Sequence, residues 1–333
     1  MSKKNILLIC GGGGEEHEIS LVSAQYIKES IESLNEYNVF YVEIKKDGSR
    51  VNEAGEQVEL RKGGLLFQIN TQEEIKLHYA IPCIHGPPGE TGEIQAVFEM
   101  MKLPYLGCGP EASMLCFNKI STKLWLNAID VPNSPFLFLG DQDKKSIEKA
   151  KNFFDQHKSV YIKAATQGSS VGCYFVDDQT SLEEKIKNAF TLSSYVLIEK
   201  NIEGRELEIA VFQQDGKIFA TIPGEIICPG KFYDFDQKYS NESKTETNII
   251  AKNVSTEIQE QMKSMAIKAF SSLKLKDLSR IDFFLTKNNE ILLNEINTFP
   301  GMTPISMFPK MMENQGIPFR NFIHEKIKKN IRS

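Results

Sequence analysis

Several things are scarce in this 333-residue chain, and each scarcity removes a class of function. Its six cysteines, at 10, 83, 108, 116, 173 and 228, form no CxxC pair and no metal-finger spacing, which excludes a zinc ribbon or a dithiol redox motif. Buried, reduced thiols are expected instead. No apolar run reaches transmembrane length, and the short apolar stretch after Met-Ser-Lys-Lys is too brief for the apolar segment of a secretion signal. The expected location is the cytoplasm. Positive charge is not in excess: Lys plus Arg number 39 against 44 Asp plus Glu, a net charge of -5. That balance gives no broad positive field for nucleic acid or an anionic membrane, so any phosphate site must be local. Internal repeats are lacking, and so is a Ser/His/Asp or Cys/His nucleophile constellation.

What is present is enough apolar residue, 41%, to bury a large core in a chain longer than one ordinary domain. Two or three domains are expected. Asn5 to Cys10 reads as a buried strand, and Ile19, Val22, Tyr26, Ile27, Ile31 and Leu34 recur at helical spacing behind it. Strands over Val39 to Ile44 and Tyr79 to Ile84, with a helix over Glu93 to Met101, complete an N-terminal parallel α/β pattern. Such sheets carry ligand loops at the carboxyl ends of their strands. After the proline-rich Asp130 to Pro135, short strands and helices alternate to Phe212 as an α+β unit. An Asp215-Gly216 hairpin signal and a long polar stretch, Cys228 to Thr247, follow; the stretch reads as a lid. Thr256 with Gln259 reads as a capping box opening a helix.

The stretch from Ser279 to Gly301 reads as two strands joined at Asn288-Asn289. With those two residues as the turn, Asp282 faces Glu295 and Arg280 faces Asn297 across an antiparallel ladder. Alternation puts all four on one face. Two carboxylates and an amide oxygen suit a hard cation such as Mg²⁺, and Arg280 beside them is placed to meet a phosphate.

Two glycine loops compete for phosphate. "GGGGEEHEIS", Gly11 to Ser20, follows the first strand, but Glu16 stands where a dinucleotide fingerprint needs glycine, and no GK[ST] is present. Glu15, Glu16 and Glu18 would repel a phosphate, so this loop should hold a cation such as an ammonium group. "KAATQGSSVGC", Lys163 to Cys173, combines a lysine with small residues whose backbone N–H groups can approach phosphate oxygens. The acids of "EKNIEGRE", Glu199 to Glu206, could accept from an adenine amine and ribose hydroxyls. "IHGPPGETGEIQ", Ile84 to Gln95, places His85 at the end of a strand, where ligands bind.

With these stretches in order, the sequence resembles the D-alanine-D-alanine ligases of the ATP-grasp superfamily over essentially its whole length. The resemblance rests on "EHEISLVSA", "HGPPGETGEIQ", "LPYLGCGPEAS" with Asn118-Lys119, "QGSSVG", "IEKNIEGRE", "FYDFDQKY", "SRIDFF" and "NEINTFPGMTPISMFPK". It implies a three-domain ATP-grasp architecture: an N-terminal parallel α/β substrate domain (1–118), a central α+β subdomain (119–210) and a C-terminal α+β subdomain with lid and metal site (211–333). The implied reaction is ATP-dependent ligation of two D-alanines through an acyl phosphate, for peptidoglycan precursor synthesis in the cytoplasm.

In that scheme Lys119, Lys163, Glu199, Lys200, Ile202, Glu206 and Lys238 match the ATP site. Asp282, Glu295 and Asn297 match ligands of Mg²⁺ or Mn²⁺, two ions in all. Glu16 matches the carboxylate that binds the first substrate's ammonium, with Ser169 and Tyr239 as its hydrogen-bonded partners. Arg280 and the Gly301 N–H match the oxyanion-stabilising groups, Ser306 and Met307 the grip on the second carboxylate, and His85 a histidine near the first substrate. Partners other than D-alanine and ATP are not implied, apart from a second copy of the chain in a homodimer.

Departures from the family pattern are Gly14 for serine, Thr91 for aspartate, Ala96 for glycine and Ala164 for proline, and the missing glycines before Arg280. None removes a group assigned to phosphoryl transfer. Alternative readings are another ATP-grasp carboxylate-amine ligase with different amino acids, a nucleotide-binding regulator without turnover, and a nicotinamide dehydrogenase.

Overall fold

The computed structural model describes residues 3–227 and 246–331. The first third runs β1 (Lys4–Gly11), α1 (His17–Glu32), β2 (Tyr37–Ile44), β3 (Arg50–Asn52), β4 (Val58–Arg61), β5 (Leu65–Gln68), β6 (Glu73–Lys76), β7 (Tyr79–Cys83) and α2 (Glu93–Met101). In the middle follow α3 (Pro110–Phe117), α4 (Lys119–Ala128), β8 (Phe136–Leu139), α5 (Lys144–His157), β9 (Val160–Ala164), β10 (Cys173–Val176), α6 (Leu182–Phe190) and β11 (Val196–Lys200). The last third comprises β12 (Gly204–Gln214), β13 (Lys217–Ala220), β14 (Gly224–Ile227), β15 (Glu246–Asn248), α7 (Thr256–Ser272), β16 (Leu278–Thr286), β17 (Ile291–Asn297), α8 (Met307–Asn314) and α9 (Phe319–Ile331).

β1 pairs in parallel with β2 and β7, as the buried apolar runs predict, and β3 closes one edge antiparallel. Helix α1 covers one face of this sheet through Ala24, Ile27 and Ile31, and α2 lies against the other through Ile94, Phe98 and Met101. A small antiparallel sheet, β4-β5-β6, stands beside it; its short, half-polar strands carry no clear alternation, and the sequence reading omits them.

The second sheet, in the order β10-β9-β11-β8, is antiparallel and packs on α5 and α6. The third, β15-β14-β12-β16-β17 with β13 on β12, packs one face on α7 and the other on α8, α9 and α1. The expected division at residue 210 falls inside β12, which pairs with β16 continuously from Gly204 to Phe212. A strand cannot be split between two sheets while holding one ladder, so the second sheet ends at Lys200 and the third begins at Gly204. Helix α4 joins them: Ile120 packs with Ala165 and Leu197, and Leu126 with the β12–β17 core.

The expected capping box at Thr256 is displaced by one residue. Ser255 is the N-cap, accepting from the Ile258 N–H at 3.3 Å, while Gln259 donates to the Val254 carbonyl. Of the cysteines, 10, 83, 108 and 116 are buried free thiols, Cys173 is partly exposed, and Cys228 lies outside the described residues. Burial pushes Cys83 and Cys116 well above the usual thiol range.

Candidate functional site

The opening glycine loop is built for close approach. Gly11 and Gly12 both have positive φ; a Cβ on Gly11 would stand 2.3 Å from the Ile44 carbonyl oxygen, and one on Gly12 3.0 Å from that of Pro87. Side chains of the following helix hold the loop. The Gly11 N–H donates to Ser20 Oγ at 2.7 Å, Ser20 donates on to the Cys83 carbonyl, and His17 Nδ1 lies 2.7 Å from the Gly12 carbonyl. His17 Nε2 meets Glu43 at 3.2 Å. This clamp presents Glu16, immediately before α1, to the cleft.

Glu16 meets the second glycine loop there: a Cβ on Gly168 would lie 3.5 Å from Glu16 Oε2. Ser169 and Ser170 both have positive φ, and Val171 N–H closes the loop on the Gly168 carbonyl. Lys119, first residue of α4, donates its Nζ to the Gln167 carbonyl and its N–H to that of Ala165. The loop is thereby tied to the helix whose N-cap is Asn118.

Beneath the loop lies a buried charge cluster. Glu199, on β11, takes Lys163 Nζ at 2.6 Å on one carboxylate oxygen and Lys123 Nζ at 2.5 Å on the other. Ser134 Oγ donates to the latter oxygen at 2.6 Å. Burial alone would raise the Glu199 carboxyl, but the two lysines outweigh it and hold it well below the usual carboxylate range. Burial would lower Lys163, but Glu199, joined by Cys173 and Glu295, more than offsets it and holds the lysine above its ordinary value. Glu206 lies near the start of β12; burial pushes the Tyr161 phenol up to about 12, with Cys173 and Glu206 adding and Lys163 opposing. Lys200 ends β11, its N–H on the Pro135 carbonyl, and Ile202 lies in the crossing from β11 to β12.

On the third sheet Arg280 pairs with Asn297 and Asp282 with Glu295, the facing predicted from the sequence. Arg280 grips Asp282 with two parallel bonds, Nε to Oδ1 at 2.8 Å and Nη2 to Oδ2 at 2.7 Å, and lies 3.3 Å from Glu208 on β12. Burial would lower the guanidinium; Asp282 and Glu208 outweigh it and raise it well above its usual value. The Asn297 amide lies 3.1 Å from Asp282. Among the described residues no three His, Cys, Asp or Glu side chains gather as a metal cluster. The donors offered are two carboxylates and an amide, all oxygen-capable. With Glu208, the face has three carboxylates against one guanidinium, an excess of negative charge that a divalent cation fits.

The walls converge. The Glu295 charge acts on Lys119, Lys163, Glu90 and Arg280, and that of Glu16 on His85 and Glu90. His85 Nε2 lies 3.0 Å from Ser23 Oγ, which accepts from the Met302 N–H at 3.3 Å. Burial pushes the imidazole down further than Glu16 and the Phe299 backbone restore it. Gly301 stands against Ser306: a Cβ there would lie 3.0 Å from Ser306 Oγ. Ser306 is the N-cap of α8, with Met307 its first residue, and Thr303 Oγ1 lies 2.8 Å from Ser306 Oγ. Lys238 and Tyr239 lie outside the described residues, as does the expected lid except Glu246 and Thr247, which begin β15.

Sequence reading missed Lys123, Ser134, Glu90, Glu208, Ser23 and Thr303. Glu208 had a signal, since it alternates with Glu206 along one strand. Lys123 follows Lys119 by one helical turn, a spacing that ordinarily marks a solvated face.

Comparison with known proteins agrees over nearly the full length. Residues 5–108 match the family model described as D-ala D-ala ligase N-terminus, and residues 125–328 the one described as D-ala D-ala ligase C-terminus. A protein of Shewanella sp. (strain W3-18-1) named D-alanine--D-alanine ligase is 51% identical over 325 residues, 97% of this chain and 96% of its own. Among solved structures, D-alanyl-alanine synthetase A of Vibrio cholerae superposes with a TM-score of 0.95 at 46% identity, covering all of both chains. A D-Ala:D-Ser ligase from Enterococcus faecalis gives 0.87 at 25% identity, over 99% of this chain and 100% of its own.

Proposed function

The chain belongs to the D-alanine–D-alanine ligase family, and on that premise we propose how its residues divide the work of joining two D-alanines at the expense of ATP. The fold is the ATP-grasp fold of that family, and the dipeptide is a building block of peptidoglycan. ATP lies between the second and third sheets, with adenine and ribose against Lys200, Ile202 and Glu206, the phosphates against Lys119, Lys163 and Lys238, and Glu199 behind Lys163. Asp282, Glu295 and Asn297 would hold Mg²⁺ or Mn²⁺, two ions in all. Bound there, the metal neutralises charge on the phosphates.

The first D-alanine places its ammonium on Glu16, beside Ser169, Tyr239 and His85. Its carboxylate oxygen attacks the γ-phosphorus; the bond to the β-phosphate oxygen breaks, releasing ADP and leaving an acyl phosphate. The second D-alanine is gripped by its carboxylate at Ser306 and the Met307 N–H, the positive end of α8. Its free amine attacks the acyl carbon, and the oxyanion of the tetrahedral intermediate meets Arg280 and the Gly301 N–H. Asp282 and Glu208 engage Nε and Nη2 of Arg280, which fixes the guanidinium on the face that carries the proposed metal ligands. Collapse expels phosphate, and the amine loses its proton. A homodimer in the cytoplasm completes the reading; among the described residues no helix is long and apolar enough to cross a membrane.

The observation that supports this reading is the meeting of Glu16 with the Lys163–Cys173 loop, which brings the carboxylate proposed for an ammonium beside the loop proposed for phosphate. Screening phosphate release from ATP against D-amino acids, L-amino acids and hydroxy acids tests it. Release with D-alanine and formation of the dipeptide are expected; release with L-amino acids alone would overturn it.

A further inference from the structure

Lys123 is a charged side chain with no access to a ligand. It is 1% exposed, on α4, one turn beyond Lys119. Its ammonium meets Glu199 Oε1 at 2.5 Å and donates to Ser134 Oγ at 2.8 Å, and Ser134 in turn donates to the same carboxylate oxygen. An ammonium buried so deeply is costly unless it answers another charge. Glu199, itself 3% exposed, is that charge. Glu199 has a second lysine on its other oxygen, Lys163, whose side chain is 17% exposed against 2% for Lys123. One carboxylate thus lies between two ammonium groups, one sealed in the core and one opening to the cleft.

The charge count of this triad has a consequence for phosphate. Lys163 and Glu199 alone would be a neutral pair, and a polyphosphate facing a neutral pair gains little. With Lys123 behind it, Glu199 is balanced from the buried side and the triad carries one net positive charge, which is expressed at its exposed end. Resting on the assignment of Lys163 to the nucleotide phosphates, we infer that Lys123 is a positioning residue of the nucleotide site. Its ammonium holds and neutralises Glu199, so that the charge of Lys163 acts on the phosphates instead of being cancelled. Ser134 fixes the geometry by joining Lys123 and Glu199 in one hydrogen-bonded ring.

The test is titration calorimetry with ATP, ADP and adenosine, in buffer containing Mg²⁺ and no D-alanine. A charge role predicts a loss graded by phosphate. In Lys123→Met, ATP affinity falls roughly tenfold or more and ADP affinity less, while adenosine changes by less than about twofold. A packing defect would weaken all three alike, and that result overturns the inference. The double variant Lys123→Met/Glu199→Gln removes one charge of each sign and restores the single positive charge on Lys163. It should regain most of the preference for ATP over adenosine, and a preference still lost would also overturn the inference. This variant decides the matter if the single variant does not fold, because exchanging a buried ion pair for neutral groups of similar volume is generally tolerated. Lys163→Met separates the premise from the inference. If it keeps the full preference for ATP, the assignment of Lys163 fails; if it loses the preference while Lys123→Met keeps it, only the role of Lys123 fails.

Discussion

Asp282 faces Glu295 because Asn294 is an extra residue in β17. Near the turn the pairing is Leu285 with Ile291, Phe284 with Leu292 and Phe283 with Leu293, and the register then shifts by one so that Asp282 meets Glu295. Without that shift Asp282 would sit opposite Asn294, and Glu295 would turn to the other face. Glu295→Gln keeps the shape and removes charge from the proposed metal site. We expect kcat to fall roughly 100-fold or more with the thermal midpoint nearly unchanged. Turnover near that of the parent would refute the metal assignment.

Glu16 leads α1 into the cleft on a clamped loop. Glu16→Gln keeps an acceptor but loses the charge opposite an ammonium, so the KM of the first D-alanine should rise about 10- to 100-fold. The KM for ATP should be unmoved. Unchanged affinity for D-alanine would count against the assignment of Glu16.

Glu90 brings a pH dependence. Burial, and then the charge of Glu16, push its carboxyl up to about 8, although it accepts from the Gly86 N–H at 2.9 Å; Glu295 raises it further and Arg280 opposes. Between the ordinary carboxyl value and about 8, the folded chain holds a proton that the unfolded chain has released. Its contribution therefore makes stability fall as pH rises through that window. Glu90→Gln cannot titrate, so its denaturation midpoint should gain on the parent's between pH 5 and pH 8. Parallel profiles would show that Glu90 ionises normally.

Gly14 stands in the opening loop where the family resemblance implies a serine. An added Cβ there meets nothing within 4 Å, and its φ is not positive. Gly14→Ser should leave stability within about 0.5 kcal/mol and ATP affinity unaltered. A loss above about 2 kcal/mol would mean that the loop needs glycine at this position.

Much of the fold was legible in the sequence because burial writes period-2 and period-3.6 patterns into it. β1, β2, β7, β9 and β11 follow their apolar runs closely. The facing of Asp282 and Glu295 was also read, although by two departures that cancel. The turn is three residues, Lys287 to Asn289, closed by the Thr286 N–H on the Glu290 carbonyl, and Asn294 restores the register. Neither a turn length nor a bulge is written in the alternation of apolar residues. β4, β5 and β6 escaped because short strands with one wet face resemble loops. Lys123 escaped for a different reason: a helical lysine has a solvated address by default, and only the packing of β11 against α4 supplies Glu199 as its partner.

The most direct test of the central claim follows the oxygen atoms. With both carboxylate oxygens of D-alanine labelled with ¹⁸O, attack of that carboxylate on the γ-phosphorus carries one labelled oxygen into each phosphate released. Mass spectrometry should find one ¹⁸O per phosphate, formed in step with the dipeptide. Unlabelled phosphate accompanying dipeptide formation would contradict the acyl-phosphate route and the arrangement of Glu16, Lys163 and Arg280 built upon it.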